Sequence, residues 1–128
     1  MSAKLKPLDQ QTIVITGATS GIGLATARRA AAAGARVVLA ARNEDALREA
    51  VEGIERGGGK AAYCVADVSD YAYPAAVGAV AKERFGGFDS WVNNAAAAIY
   101  ARLQDVTEEE HKQIFDTGYF GTVAGSLY

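Results

Sequence analysis

Three glycines, Gly17, Gly21 and Gly23, stand in a G-x-x-x-G-x-G spacing between the apolar run Thr12-Ile13-Val14-Ile15-Thr16 and an alanine-rich stretch of helical pattern. Glycines placed between a strand and a helix make a corner that can hold phosphate. The first N–H groups of a helix lack intrahelical partners, and the helix dipole adds partial positive charge, so an anion is stabilised there once no Cβ blocks it. On this reading Gly17 permits the tight turn, Gly21 permits close approach of the phosphates, and Gly23 lets the helix pack down on the strand. Ser20 lies in the same loop, where its hydroxyl is better placed to meet phosphate than to attack a substrate. The spacing is not the G-x-G-x-x-G of the common dinucleotide fingerprint, and no Gly-Lys-Ser/Thr follows that would make a Walker A loop. An ordinary strand-to-helix turn is the plain alternative.

The elements around this corner alternate. Residues 12–16 form a β-branched strand of the kind buried on both faces. A helix from Gly21 to Ala33 follows, stopped by Gly34 in a left-handed conformation. A second strand spans 35–41, and Asn43 caps a helix with Glu44 and Asp45 at its positive end, ending in Gly57-Gly58-Gly59. A third strand spans 61–66. Asp67, Ser69 and Asp70 then offer caps for a third helix that ends at Phe85-Gly86-Gly87, with Tyr73, Val77, Val80, Ala81 and Phe85 on its buried side and Pro74 near its start. The fourth strand is 88–93, and Thr107-Glu108-Glu109-Glu110 is a capping box opening a fourth helix that runs on to the last residue. Four strand–helix units in a row predict an α/β fold, with one doubly wound parallel sheet covered on both faces.

Ligands in such sheets bind beyond the carboxyl ends of the strands. The polar residues gather there: Gly17 to Gly23 after strand one, Arg42 and Asn43 after strand two, Asp67 after strand three, and Asn93-Asn94 after strand four. Each also has a plain structural use. Asp67 or Asn43 can cap a helix, Arg42 can be solvated, and Asn94 can hold a turn. Arg42 makes the sharper claim. An NAD site of this type has an acidic residue at the end of strand two, accepting from the ribose 2′-hydroxyl. Here Ala41 and Arg42 stand there, and a guanidinium binds a 2′-phosphate that a carboxylate would repel, so NADP(H) is favoured over NAD(H).

Composition excludes other classes. The chain has 128 residues, the size of one domain, with 13 basic and 15 acidic side chains and a net charge of −2, so it carries no nucleic-acid footprint and no basic membrane surface. No apolar run approaches the length of a membrane span, and the amino-terminal residues lack the apolar core of a secretory signal. One cysteine, Cys64, is read as a small buried hydrophobe, and a reducing, cytoplasmic setting fits. No His, Cys, Asp or Glu cluster has metal-ligand spacing. His111 is read as a solvated helix residue and Trp91 as core.

The segments Thr16-Gly17-Ala18-Thr19-Ser20-Gly21-Ile22-Gly23, Asp67-Val68 and Asn93-Asn94-Ala95-Ala96 together resemble the N-terminal half of the short-chain dehydrogenase/reductase family, and the resemblance covers nearly the whole chain. It implies a Rossmann-like doubly wound sheet ordered 3-2-1-4. It also implies a cofactor loop that includes Thr19, Ser20 and Ile22, with Asp67 and Val68 flanking adenine and Asn94, Ala95 and Ala96 bordering the nicotinamide. The family usually has glycine where Ala96 stands. A small-molecule carbonyl or alcohol substrate and a homo-oligomer packed through the fourth helix are expected on the same ground.

Two departures bear on activity. The family has an asparagine supporting a proton relay where this chain has Gly118. Its chemistry also needs a tyrosine four residues before a lysine, with a serine upstream, and the lysine brings the tyrosine into range for proton exchange. The residues four before Lys60, Lys82 and Lys112 are Arg56, Gly78 and Glu108, so this chain offers no catalytic residue of its own. The sheet is therefore expected to stop after its fourth strand–helix unit, as roughly the first half of a longer pattern. Two functions are carried forward: an NADP(H)-dependent oxidoreductase whose cofactor-binding half this is, and a non-catalytic dinucleotide-binding module or inactive fragment.

Overall fold

The computed structural model describes residues 5–128; part of the amino-terminal stretch read above for a secretory signal, residues 1–4, lies outside them. Four parallel strands, β1 (Thr12–Thr16), β2 (Arg36–Ala41), β3 (Lys60–Val65) and β4 (Ser90–Val92), form one sheet in the order β3-β2-β1-β4. The helices are α1 (Gly21–Ala32), α2 (Glu44–Arg56), α3 (Tyr73–Phe85), α4 (Glu108–Phe115) and α5 (Gly121–Leu127), the last two joined by a π turn at Asp116–Phe120.

The unbroken apolar character of the strands follows from burial on both faces. On one face Ile13, Ile15, Val37, Leu39 and Ala61 pack against α1 and α2 through Ala27, Ala31, Leu47, Ala50, Val51 and Ile54. On the other, Val14, Val38 and Ala40 meet Tyr73, Val77 and Ala81 of α3 and Ala124 of α5. Successive residues of one strand thus feed opposite cores, as the period of two requires.

Local signals operate as read in several places. The Asn43 side chain accepts from Ala46 N at 3.0 Å, the capping box of Thr107 and Glu110 closes in both directions, and Gly34 takes φ +94° after α1. Elsewhere the structure departs from expectation. β4 has three residues rather than six, because its length is set by the ladder with Ile13, Val14 and Ile15 and not by its own hydropathy. Phe88 leaves the strand to join Trp91 and Tyr128 in an aromatic cluster. α3 begins at Tyr73 with no side-chain cap: Asp67 turns back on Ser69, and Asp70 accepts from Ala72 N at 3.0 Å. Pro74 sits in that first turn, where a missing N–H costs nothing.

Cys64 and Trp91 are half-buried rather than core, Cys64 because β3 is a sheet edge. Burial still pushes the Cys64 thiol up, away from the thiolate form. His111 is half-buried on α4. The expected continuous fourth helix is interrupted by the π turn, and Gly118 lies within it.

α5 sits unusually close to the sheet. A Cβ on Gly121 would lie 2.5 Å from Val68 O, and one on Gly125 would lie 2.4 Å from Asn93 Oδ1. Asn93 is the hub of this contact: its Oδ1 accepts from Trp91 Nε1 at 3.1 Å and its Nδ2 donates to Ser126 Oγ at 3.0 Å. The buried Tyr73 hydroxyl donates to Gly121 O at 3.0 Å.

Candidate functional site

β1 ends at Thr16, and the chain turns at once. Gly17 adopts φ +63° and donates its N–H to Ala40 O at 2.9 Å, which pins the turn to β2. Gly21, at φ +51°, has no heavy atom within 4 Å of the place a Cβ would take, so an open pocket lies over the start of α1. Gly23 is the reverse: a Cβ there would meet Gly17 O at 2.3 Å and Asn94 Nδ2 at 2.5 Å. Only a glycine lets α1 seat this tightly on the end of β1. Ser20 is the N-cap residue, yet its side chain makes no capping hydrogen bond, so its hydroxyl and the first N–H groups of α1 are left for another acceptor.

Thr16 and Asn94 lock this corner to β4. The Thr16 hydroxyl accepts from Asn94 N and from Ala95 N, both at 3.0 Å. The Asn94 amide donates to Thr16 O at 3.1 Å and to Gly17 O at 3.2 Å. Asn94 therefore holds the turn with its side chain while also lining the space above it.

At the ends of β2 and β3 stand opposite charges. Asp67 Oδ1 accepts from Ser69 N at 2.9 Å and from Ser69 Oγ at 2.7 Å. These bonds, with the nearby Arg42 guanidinium adding a smaller effect, hold the Asp67 carboxyl below the usual carboxylate range. It is an anion at neutral pH, and its second oxygen has no hydrogen-bond partner among the described residues.

These residues line one cleft of about 960 Å³ along the carboxyl ends of the strands. Of the residues singled out in the sequence, Gly17, Thr19, Ser20, Gly21, Ile22, Arg42, Asn43, Asp67, Val68, Asn94, Ala95 and Ala96 form its wall. Gly23 is buried beneath it, and Gly118 is not in it. The wall also includes Ala40, Ala41, Ala66, Ala97, Gln113 and Thr117. Ala40 and Ala41 end β2, Ala66 follows β3, and Ala97 continues the loop after β4. Gln113 and Thr117 were not anticipated; the signal that finds them is the four-residue spacing of Gln113, Thr117, Gly121 and Gly125, one helical stripe whose later members press on the sheet. Among the described residues no group of three His, Cys, Asp or Glu side chains is placed to hold a metal, and no helix is long and apolar enough to cross a membrane.

The cleft fits an elongated ligand bearing phosphate. Its volume is at the upper end for small-molecule sites, its centre is a helix N-terminus that a Cβ at residue 21 would obstruct, and a guanidinium stands to one side. A parallel sheet with a glycine corner on its central strand, opening at the switch between β2 and β4, is the Rossmann-like class of dinucleotide-binding α/β fold.

The chain belongs to the short-chain dehydrogenase family of oxidoreductases, whose family model matches residues 11–127. It is 49% identical over 123 residues to the uncharacterised oxidoreductase YxnA of Bacillus subtilis, covering 96% of this chain and 35% of that protein. L-sorbose reductase from Gluconobacter frateurii, solved with NADPH and L-sorbose, superposes with a TM-score of 0.85 at 32% identity, over 91% of this chain and 45% of that one. An alcohol dehydrogenase from Thermococcus sibiricus, solved with 5-hydroxy-NADP, superposes with a TM-score of 0.86 at 31% identity, over 91% of this chain and 50% of that one. The chain thus spans no more than half the length of these relatives.

Proposed function

We propose that this chain is a single dinucleotide-binding domain, the cofactor-binding half of an NADP(H)-dependent oxidoreductase that acts on a small carbonyl or alcohol. The observation that carries the reading is the glycine corner itself: open space over Gly21, unpaired N–H donors at the start of α1, and Arg42 on the β2 side. Bound NADP(H) supplies hydride exchange at its nicotinamide. The protein's part is positional. The α1 N-terminus and the Ser20 hydroxyl receive the pyrophosphate, Arg42 receives the 2′-phosphate, Asp67 and Val68 flank the adenine, and the Asn94–Ala96 loop borders the nicotinamide. The NADPH and 5-hydroxy-NADP bound by the two solved relatives support the choice of phosphorylated cofactor.

The second reading, a non-catalytic dinucleotide-binding module, rests on one observation: no tyrosine stands four residues before a lysine. We infer that the 128 residues turn nothing over by themselves, that a cytoplasmic setting suits them, and that self-association through α4 and α5 accompanies the longer protein.

A thermal shift of the purified chain with NADPH, NADH or no ligand tests the cofactor reading. A ligand at 100 times its dissociation constant raises stability by about 2.7 kcal/mol. NADPH should raise the transition and NADH should raise it less, and Arg42→Ala should remove the difference. Equal shifts by the two cofactors in the parent chain would remove Arg42 from its role, and no shift by either would remove the cofactor. Enzyme-dependent oxidation of NADPH with a carbonyl panel would overturn the claim of inactivity.

A further inference from the structure

Part of the cleft's wall comes from a segment that the glycine corner does not involve. α4 carries Gln113, the π turn carries Thr117, and both line the cleft. Gln113 Nε2 donates to Thr117 Oγ1 at 3.0 Å. That bond fills one acceptor position of the hydroxyl and leaves its own O–H without an acceptor among the described residues.

Position along the cleft follows from the packing of the same stripe. Gly121, four residues after Thr117, presses on Val68 at the end of β3, where its Cβ would lie 2.5 Å from Val68 O and 3.2 Å from Val68 Cβ. β3 and β2 lie to one side of β1, and the Asn94–Ala97 loop of β4 lies to the other. Thr117 therefore belongs to the β3 side, with Asp67, Val68 and Ala66. Those neighbours make a slot of small apolar walls with one carboxylate acceptor. A π turn in a helix wall redirects side chains that a regular helix would aim elsewhere, and such turns recur at binding sites.

We propose that Thr117, oriented by Gln113, is a specificity residue for the adenosine end of the cofactor, donating its hydroxyl proton to an acceptor nitrogen of the base across from Asp67. Asp67 accepts and Thr117 donates, and adenine presents both an amino donor and ring-nitrogen acceptors. The inference rests on the cofactor reading above.

Titrations of the full 128-residue chain with NADPH, adenosine 2′,5′-bisphosphate and nicotinamide mononucleotide separate the two. Thr117→Val keeps the shape and removes the hydroxyl; it should weaken NADPH and the bisphosphate about three- to tenfold, the range of one neutral hydrogen bond. Nicotinamide mononucleotide should bind Thr117→Val as it binds the parent chain, Thr117→Ser should restore the bisphosphate affinity, and the unliganded thermal transition should stay in place. Unchanged bisphosphate affinity in Thr117→Val overturns the proposal, as does a Thr117→Ser variant no better than Thr117→Val. A parent chain that binds neither NADPH nor the bisphosphate overturns the cofactor reading and this proposal with it. Gln113→Leu supplies a second variant, away from the turn itself, and should lose less than Thr117→Val.

Discussion

Gly23→Ala is the perturbation that asks most of the glycine corner. The added methyl would sit 2.3 Å from Gly17 O and 2.5 Å from Asn94 Nδ2. The first distance is roughly 1 Å short of ordinary contact, so α1 must lift or the Gly17 turn must shift. Neither obstacle is a free side-chain tip. Gly17 is pinned through its N–H to Ala40 O, and the Asn94 amide is committed to Thr16 O and Gly17 O at 3.1 and 3.2 Å. Overpacking a tight site costs about 1–3 kcal/mol, and losing the two Asn94 bonds adds about 1 kcal/mol each. The expected destabilisation is about 3–5 kcal/mol, a large share of the 5–15 kcal/mol typical of a domain.

Urea unfolding of the two chains measures it, with NADPH titration at a denaturant concentration where both remain folded. NADPH affinity should fall more than tenfold, because the N–H donors of α1 move with the helix. A double-mutant cycle with Asn94→Ala sharpens the claim. If the amide is part of the obstruction, the two losses are sub-additive by at least about 0.5 kcal/mol. Stability within 0.5 kcal/mol of the parent together with unchanged NADPH binding would refute the close-approach reasoning. Strict additivity in the cycle would refute the role given to Asn94.

Other outcomes follow from neighbouring sites. Gly118→Ala should stabilise the chain by about 0.4–1 kcal/mol in the same urea assay, because its φ is not positive, nothing lies within 4 Å of the new methyl, and alanine restricts the unfolded chain; a loss of stability would show that the π turn needs glycine. Gly21→Ala should lower stability by only about 1 kcal/mol, from the strain of φ +51° in open space, while NADPH titration shows a much larger loss. On the acid side, the Ser69 bonds depress Asp67, Lys6 and Thr12 N depress Asp89, and Thr107 depresses Glu110. A depressed carboxyl contributes stability that is complete above its unfolded value, about 4, and is lost as pH falls through the lower folded value, so thermal transitions should drop below about pH 4 and Ser69→Ala should flatten part of that drop.

Much of the fold was legible because its signals are local. Runs such as Ile13-Val14-Ile15 and Val37-Val38-Leu39 can be buried on both faces only in a covered parallel sheet, and Asn43 and Thr107 act on backbone within three residues of themselves. The glycine corner was legible for the same reason: Gly17, Gly21 and Gly23 lie within seven residues. What escaped reading depends on partners far along the chain. The length of β4 is decided by β1, and the half-burial of Cys64 by the absence of a neighbour beyond β3 among the described residues. The π turn has no side-chain period of its own in five residues, so a continuous helix was the natural expectation. Gln113 lies on α4 ahead of that turn, and its place in the cleft wall is set by how α4 meets the strand ends.

The glycines of this chain divide by what they permit, and the division says how the cleft is held. Gly17 permits a backbone angle and also the approach of Ala95, whose Cα would lie 2.9 Å from a Cβ there. Gly23, Gly121 and Gly125 permit approach, each with a Cβ position 2.3–2.5 Å from a polar atom. Gly23 brings α1 down onto β1, while Gly121 and Gly125 bring α5 down onto Val68 and the Asn93 hub, so the same device seats the helix that opens the cleft and the helix that follows the Gln113–Thr117 wall. Asn93 and Asn94 are adjacent in sequence, and their amides face different tasks: Asn94 ties the glycine corner to β4, and Asn93 ties α5 to the same strand. β4 therefore transmits position between the phosphate corner and the helix stripe that carries Thr117. A change at Asn93, which is not part of the cleft wall, should disturb Thr117 before it disturbs Gly21.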